Sequence, residues 1–77
     1  MTIEQLSTVH HAQPFQPFRL HMANGRSLDV VHPDFLSRSP SGRTVVVHHR
    51  RDDTFEIVDL LLVASIETLN GHADQAA

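Results

Sequence analysis

The stretch PFQPFRLHMANGRSLDVVHP, Pro14 to Pro33, decides how the rest of the chain is read. Phe18, Leu20 and Met22 alternate with Arg19, His21 and Ala23; past the turn, Leu28 and Val30 alternate with Ser27, Asp29 and Val31. A period of two marks strands with one buried face. A tight loop of Asn24 and Gly25 alone would set Leu20 opposite Asp29, apolar against charged. A longer loop, Ala23-Asn24-Gly25 with Gly25 left-handed in a bulge, sets Leu20 opposite Leu28 and Phe18 opposite Val30. It also brings Arg19 opposite Asp29 on the other face, a favourable cross-strand pair. The longer loop is therefore expected, and the stretch reads as specifying a fold more than recognising a ligand.

Working back from the hairpin, Pro14 and Pro17 each fix their own φ and push the preceding residue toward an extended conformation. Residues 13–17 are expected to form a stiff strap with Phe15 and Phe18 as buried anchors; a motif for a proline-binding partner is the alternative. Before it, TIEQLSTVHHA predicts a helix over residues 2–12. Thr2 and Gln5 have the spacing of a capping box, and Ile3, Leu6 and Val9 make one narrow apolar stripe. A helix this short does not hold alone in water, so it must dock on the rest of the chain.

Working forward, HPDFLSRSPSG interrupts the strand pattern, because Pro33 cannot donate to a ladder and Ser39 to Gly42 is a turn cluster. Phe35 and Leu36 are expected to plug the core from this loop. RTVVVHHR predicts a third strand with Val45 and Val47 on one face and Val46 and His48 on the other. After the Arg51-Asp52-Asp53 turn, TFEIVD predicts a fourth strand with Phe55 and Ile57 pointing inward. DLLLVASIETLNG admits two readings. One is a helix capped by Asp59 and Asn70-Gly71; the other is a strand that breaks near Leu60 to Leu62 and resumes as VASIETL. The strand fits the β-branched Val63, Ile66 and Thr68 equally, and it is the reading preferred. Residues 70–77 are read as a tail and residues 18–69 as the main body of a single domain, 1–77.

Composition narrows the function classes. A chain of 77 residues buries only roughly 60% of its unfolded surface, and without cysteine it has no disulfide or thiolate metal site. Oligomerisation and good packing are the remaining staples. The net charge is −3, from six arginines and no lysine against nine acids, which speaks against a grip on nucleic acid driven by phosphate neutralisation. No basic segment followed by an apolar run opens the chain, and the longest apolar run, Leu60 to Ala64, falls far short of a membrane span. A cytoplasmic protein with no membrane partner is expected.

Candidate chemistry is thin. The seven histidines invite a metal hypothesis, but neighbours such as His48 and His49 point to opposite faces of a strand. A site would need His21 to meet His48, or symmetry-related rings, so no metal and no cofactor is expected. No cysteine, tyrosine or tryptophan is present, no serine sits in a nucleophile elbow, and so small a chain lacks the walls of a deep cleft; no enzyme is expected. Arg38 and Arg43 flank the loop, and Arg50 and Arg51 lie at the next turn. They are the candidate RNA contacts, as an arginine rim multiplied by symmetry. The run DLLLVASI holds more apolar groups than one small domain can bury, which assigns Leu60, Leu61, Leu62 and Val63 to an interface between copies.

FRLHMANGRSLDV resembles the first two strands of Sm-like proteins, and FEIVDLLLVASIE is similar to the last two strands of the bacterial Hfq type. The resemblance runs from Ile3 to Leu69. The Pro-Phe-x-Pro-Phe-Arg opening also resembles that of small uncharacterised bacterial proteins. The Sm-like resemblance implies a mainly β fold, a small five-stranded SH3-like or Sm-like barrel with a short N-terminal helix, assembled into a homo-oligomeric ring through the fourth and fifth strands. The chain departs from that family where the family binds uridine-rich RNA. HPDFLSRSPSG lacks the Asp-x-x-x-Asn pattern, and Asp59-Leu60 stands where a basic pair belongs. The reading is a non-catalytic, self-assembling scaffold or protein-interaction module, whose partners are itself and an unidentified protein; RNA binding on a ring rim is the alternative.

Overall fold

Helix α1 (Ile3–His10) leads through the proline strap into strands β1 (Phe18–Met22) and β2 (Ser27–Val30) of a computed structural model that describes residues 1–69. A 3-10 turn (Pro33–Phe35) then precedes β3 (Leu36–Arg38) and β4 (Thr44–His48). Next come β5 (Phe55–Asp59), a second 3-10 turn (Leu60–Leu62) and β6 (Val63–Thr68). The strands form two antiparallel sheets, ordered β2-β1-β6 and β3-β4-β5.

The fold is mainly β, as expected, but among the described residues it has six strands and neither ladder closes into a barrel. The extra strand comes from the loop after β2. Pro33 has no N–H to continue a ladder, so the chain turns there, with the Asp34 amide donating to His32 Nδ1 at 3.1 Å. It then resumes as β3, with Leu36 opposite Val47 and Arg38 opposite Val45. Leu36 is buried, as a plug would be, but as part of a strand; Phe35 is half-buried against the same core.

The hairpin has the register its alternation dictates. Phe18 pairs with Val30, Arg19 with Asp29, Leu20 with Leu28 and His21 with Ser27. The Met22 amide donates to the Arg26 carbonyl at 2.8 Å, closing the loop Ala23-Asn24-Gly25. Gly25 has φ +92°, a region that L side chains rarely adopt, and a Cβ there would meet nothing within 4 Å. Its requirement is conformational, not spatial.

Both sheets turn one face to a shared core. Phe18, Leu20, Leu28 and Val30 come from the first; Leu36, Val45, Val47 and Val58 from the second; Leu6, Leu60 and Val63 seal the ends. Helix α1 docks through Leu6, with Thr2 and Gln5 forming the capping box. His10 Nε2 donates to the Pro33 carbonyl at 2.7 Å, and Arg38 donates to Ser7 Oγ at 2.6 Å. The ambiguous C-terminal segment breaks at Leu60–Leu62 and resumes as β6 against β1, so the bent-strand reading holds. The Asn70-Gly71 cap and the 70–77 tail lie outside the described residues.

One orientation is inverted relative to expectation. Phe55 and Ile57 point outward, and Glu56 and Val58 face in. The β4–β5 register sets Val58 opposite Val45 and Glu56 opposite Val47, both of whose partners are buried. Leu60 has the same parity and is only 3% exposed. Burying Leu60 and Val58 together therefore turns the two larger side chains to solvent.

Candidate interaction surface

The inversion of β5 creates the most distinctive surface of the chain. Phe55 is 55% exposed, Ile57 71%, Leu61 76% and Leu62 54%. On the outer face of the β3-β4-β5 sheet, Ile57 stands beside Val46 and Phe55 beside His48, whose ring lies 5.7 Å from that of Phe55. β5 is also an edge strand, and so are β2, β3 and β6. Apolar side chains on an open edge are what folded proteins ordinarily avoid.

The four residues assigned to an interface divide in two. Leu61 and Leu62 are exposed in the 3-10 turn, where Asp59 Oδ1 accepts from the Leu61 amide at 2.9 Å. Leu60 and Val63, at 3% and 2% exposure, belong to the chain's own core and offer a partner no side-chain surface. The 3-10 turn is the reason, since it swings the first and last of these residues inward and the middle two outward.

The four candidate RNA-contacting arginines also divide. Arg38 and Arg43 lie at one end of β4, and Arg50 and Arg51 follow the other. At about 3.3 Å per residue the pairs stand on the order of 20 Å apart. Arg38 is committed to Ser7 of α1. Arg50 and Arg51 line a shallow cleft of about 610 Å³ between the hairpin and the β4–β5 turn, together with Arg19, Arg26, His49, Asp29, Asp52 and Glu56.

That cleft is largely self-neutralised. Arg26, just past the hairpin loop, reaches across to β5 and donates to both oxygens of Glu56 at 2.9 and 2.7 Å. His49 Nε2 lies 3.2 Å from the same carboxylate. The Arg26 hydrogen bonds hold the Glu56 carboxyl below its ordinary 4.5 against a smaller opposing effect of burial. Arg19 grips Asp29 at 2.6 and 3.2 Å, and that contact raises the arginine's pKa further. Asp52 accepts from the Thr54 hydroxyl and amide, which lowers its pKa. Arg50 and Arg51 make no ion pair among the described residues, and neither does Arg43.

The Arg26–Glu56 link ties the two sheets together across thirty positions of sequence, and no local pattern announces it. His21 and His48 do not meet: His21 bonds Glu67 on β6 at 2.9 Å, while the His48 ring lies tilted against Phe55 in the other sheet. Among the described residues no three histidine, aspartate or glutamate side chains gather as a metal would require, and no helix is long and apolar enough to cross a membrane. No family model matches the chain, and neither the curated proteins nor the solved structures yield a match.

Proposed function

We propose that the chain is a non-catalytic module that assembles with copies of itself and serves as a scaffold or protein-interaction element. The observation that carries this reading is the apolar open edge, Phe55 and Ile57 on β5 continuing into Leu61 and Leu62. A small domain without disulfides gains from covering such an edge, and a second copy is always at hand to do so. The SH3-like or Sm-like layout of strands, here without a closed ladder, is the finer class proposed. It is supported by the 3-10 turn that leads into a last strand pairing with the first. A ring is the head-to-tail form of this assembly, with β5 of one copy against β6 of the next. Light scattering tests the reading: a mass above 8.6 kDa at micromolar concentration is expected, and a strictly monomeric mass contradicts it.

RNA binding is the second reading, favoured by Arg50 and Arg51 at the mouth of the cleft without carboxylate partners. The overall charge of −3 weighs against it. It predicts saturable, salt-sensitive binding of polyuridine by fluorescence anisotropy, lost on replacing both arginines with serine.

A further inference from the structure

The β4–β5 ladder fixes which backbone groups of β5 are free. The His49 amide donates to the Thr54 carbonyl and the Leu60 amide to the Arg43 carbonyl. Bonded positions alternate along an antiparallel ladder, so Glu56 and Val58 point their N–H and C=O groups at β4. Phe55, Ile57 and Asp59 point theirs at the open edge. The two residues with exposed apolar side chains thus also present unsatisfied donors and acceptors. We propose that β5 pairs antiparallel with β5 of a second copy across a two-fold axis, Phe55 of each facing Ile57 of the other.

The strand is self-complementary in that register. With Glu56 on the axis, the Phe55 and Ile57 positions each exchange both backbone bonds with the opposite copy. Both cross-strand side-chain pairs on the outer face are then aromatic against β-branched. Two glutamates facing each other at the axis would normally oppose such a pairing. Here Arg26 holds both oxygens of each Glu56 and His49 lies beside it, so the charge is already compensated within each copy. The product is one continuous sheet of the order β3-β4-β5-β5-β4-β3.

The other edges suit a copy of β5 less well. On β6 the Leu69 amide donates to the Pro17 carbonyl, so Ile66 and Thr68 hold the free backbone groups by the same alternation, up to the break in register between Ser65 and Val63. Its exposed side chains, Ala64, Ser65, Glu67 and Thr68, are small or polar, and Ile66 turns toward the core. β2 offers Ser27 and Asp29, and β3 is very short. Apolar matching therefore favours β5 on β5 over a ring.

Pairing edge to edge covers the free backbone of both strands and the facing sides of Phe55 and Ile57 but leaves the outer face of the sheet open, so the covered area falls below the roughly 1,200 Å² of a standard specific interface. A dimer that forms in the micromolar range and is lost on dilution is expected.

This pairing rests on the self-assembly proposed above, and one set of measurements separates the two. The chain has no cysteine, so a single Glu56→Cys variant reports only contacts across the axis. Non-bonded antiparallel positions face each other closely enough to be bridged. Mild oxidation at 100 micromolar should give a covalent dimer. Ile57→Arg, at a site exposed enough to leave the monomer folded, should halve the mass that the unaltered protein shows by light scattering at that concentration. Masses of three or more copies that no Glu56→Cys bridge accompanies would overturn the two-fold pairing and leave self-assembly standing. A mass of 8.6 kDa for the unaltered protein at the same concentration would overturn both.

Discussion

Strands β1 and β5, FRLHM and FEIVD, begin alike and do opposite things with the same kind of side chain. In β1 the intervening residues are Arg19 and His21, which do not compete for the core, so Phe18 and Leu20 turn inward unopposed. In β5 both parities hold apolar groups. Phe55 and Ile57 oppose Val58 and, beyond the strand, Leu60, and the second set wins the core. An alternating strand is oriented by its whole ladder and by the residues just beyond its end, not by its two largest side chains. The cost of the inversion is Glu56 on the inner face, offset by its hydrogen bonds to Arg26.

This contrast can be broken by substitution. Phe18→Ala removes a ring with no exposure, packed edge-on to Phe15 at 5.9 Å, and should lower stability by about 3–5 kcal/mol, read by urea denaturation. The same change at Phe55, in dilute protein, should cost within about 0.5 kcal/mol. A large loss at Phe55 in the monomer would mean that its ring packs inward after all.

Gly25→Ala should cost about 1–2 kcal/mol, because its φ of +92° is one that L side chains rarely adopt although the space is open. Thermal denaturation of this variant against Gly25→Asn checks the cause, since asparagine tolerates the left-handed region better and should recover part of the loss.

The Glu56 link predicts a pH dependence. Its folded pKa lies below the ordinary 4.5, so the unfolded chain binds more protons in that range. Stability from the link is complete above pH 4.5 and is lost as the pH falls through the depressed value. The side chain is 25% exposed and its partner Arg26 58%, which limits the effect to about 1 kcal/mol. Glu56→Gln should flatten the stability profile below pH 4.5; an unchanged slope would place the acid sensitivity in other carboxylates.

The hairpin was legible because its constraints are local. The loop, the left-handed glycine and four registered pairs all lie within the run from Phe18 to Val30, and the capping box of α1 is local in the same sense. The bent C-terminal strand was legible only as the preferred of two readings that its residues fit equally. The features that escaped depend on distant partners. β3 exists because Leu36 finds Val47, and Glu56 is tolerated on the inner face because Arg26 reaches it from the other sheet. One local signal was present for β5: Val58 shares its parity with Leu60, the leucine that fills the end of the core. The DLLLV run is divided differently, by the three-residue period of its 3-10 turn, which sends Leu60 and Val63 in and Leu61 and Leu62 out.

Amide hydrogen exchange across a concentration series tests both the inverted strand and its pairing. In dilute protein the amides of Glu56 and Val58, bonded to β4, should be protected, while those of Phe55 and Ile57 exchange freely. As concentration rises, Phe55 and Ile57 should gain protection together with the fraction paired. Protection of Phe55 and Ile57 that does not change with concentration would contradict the account, whether the two amides were slow throughout or fast throughout.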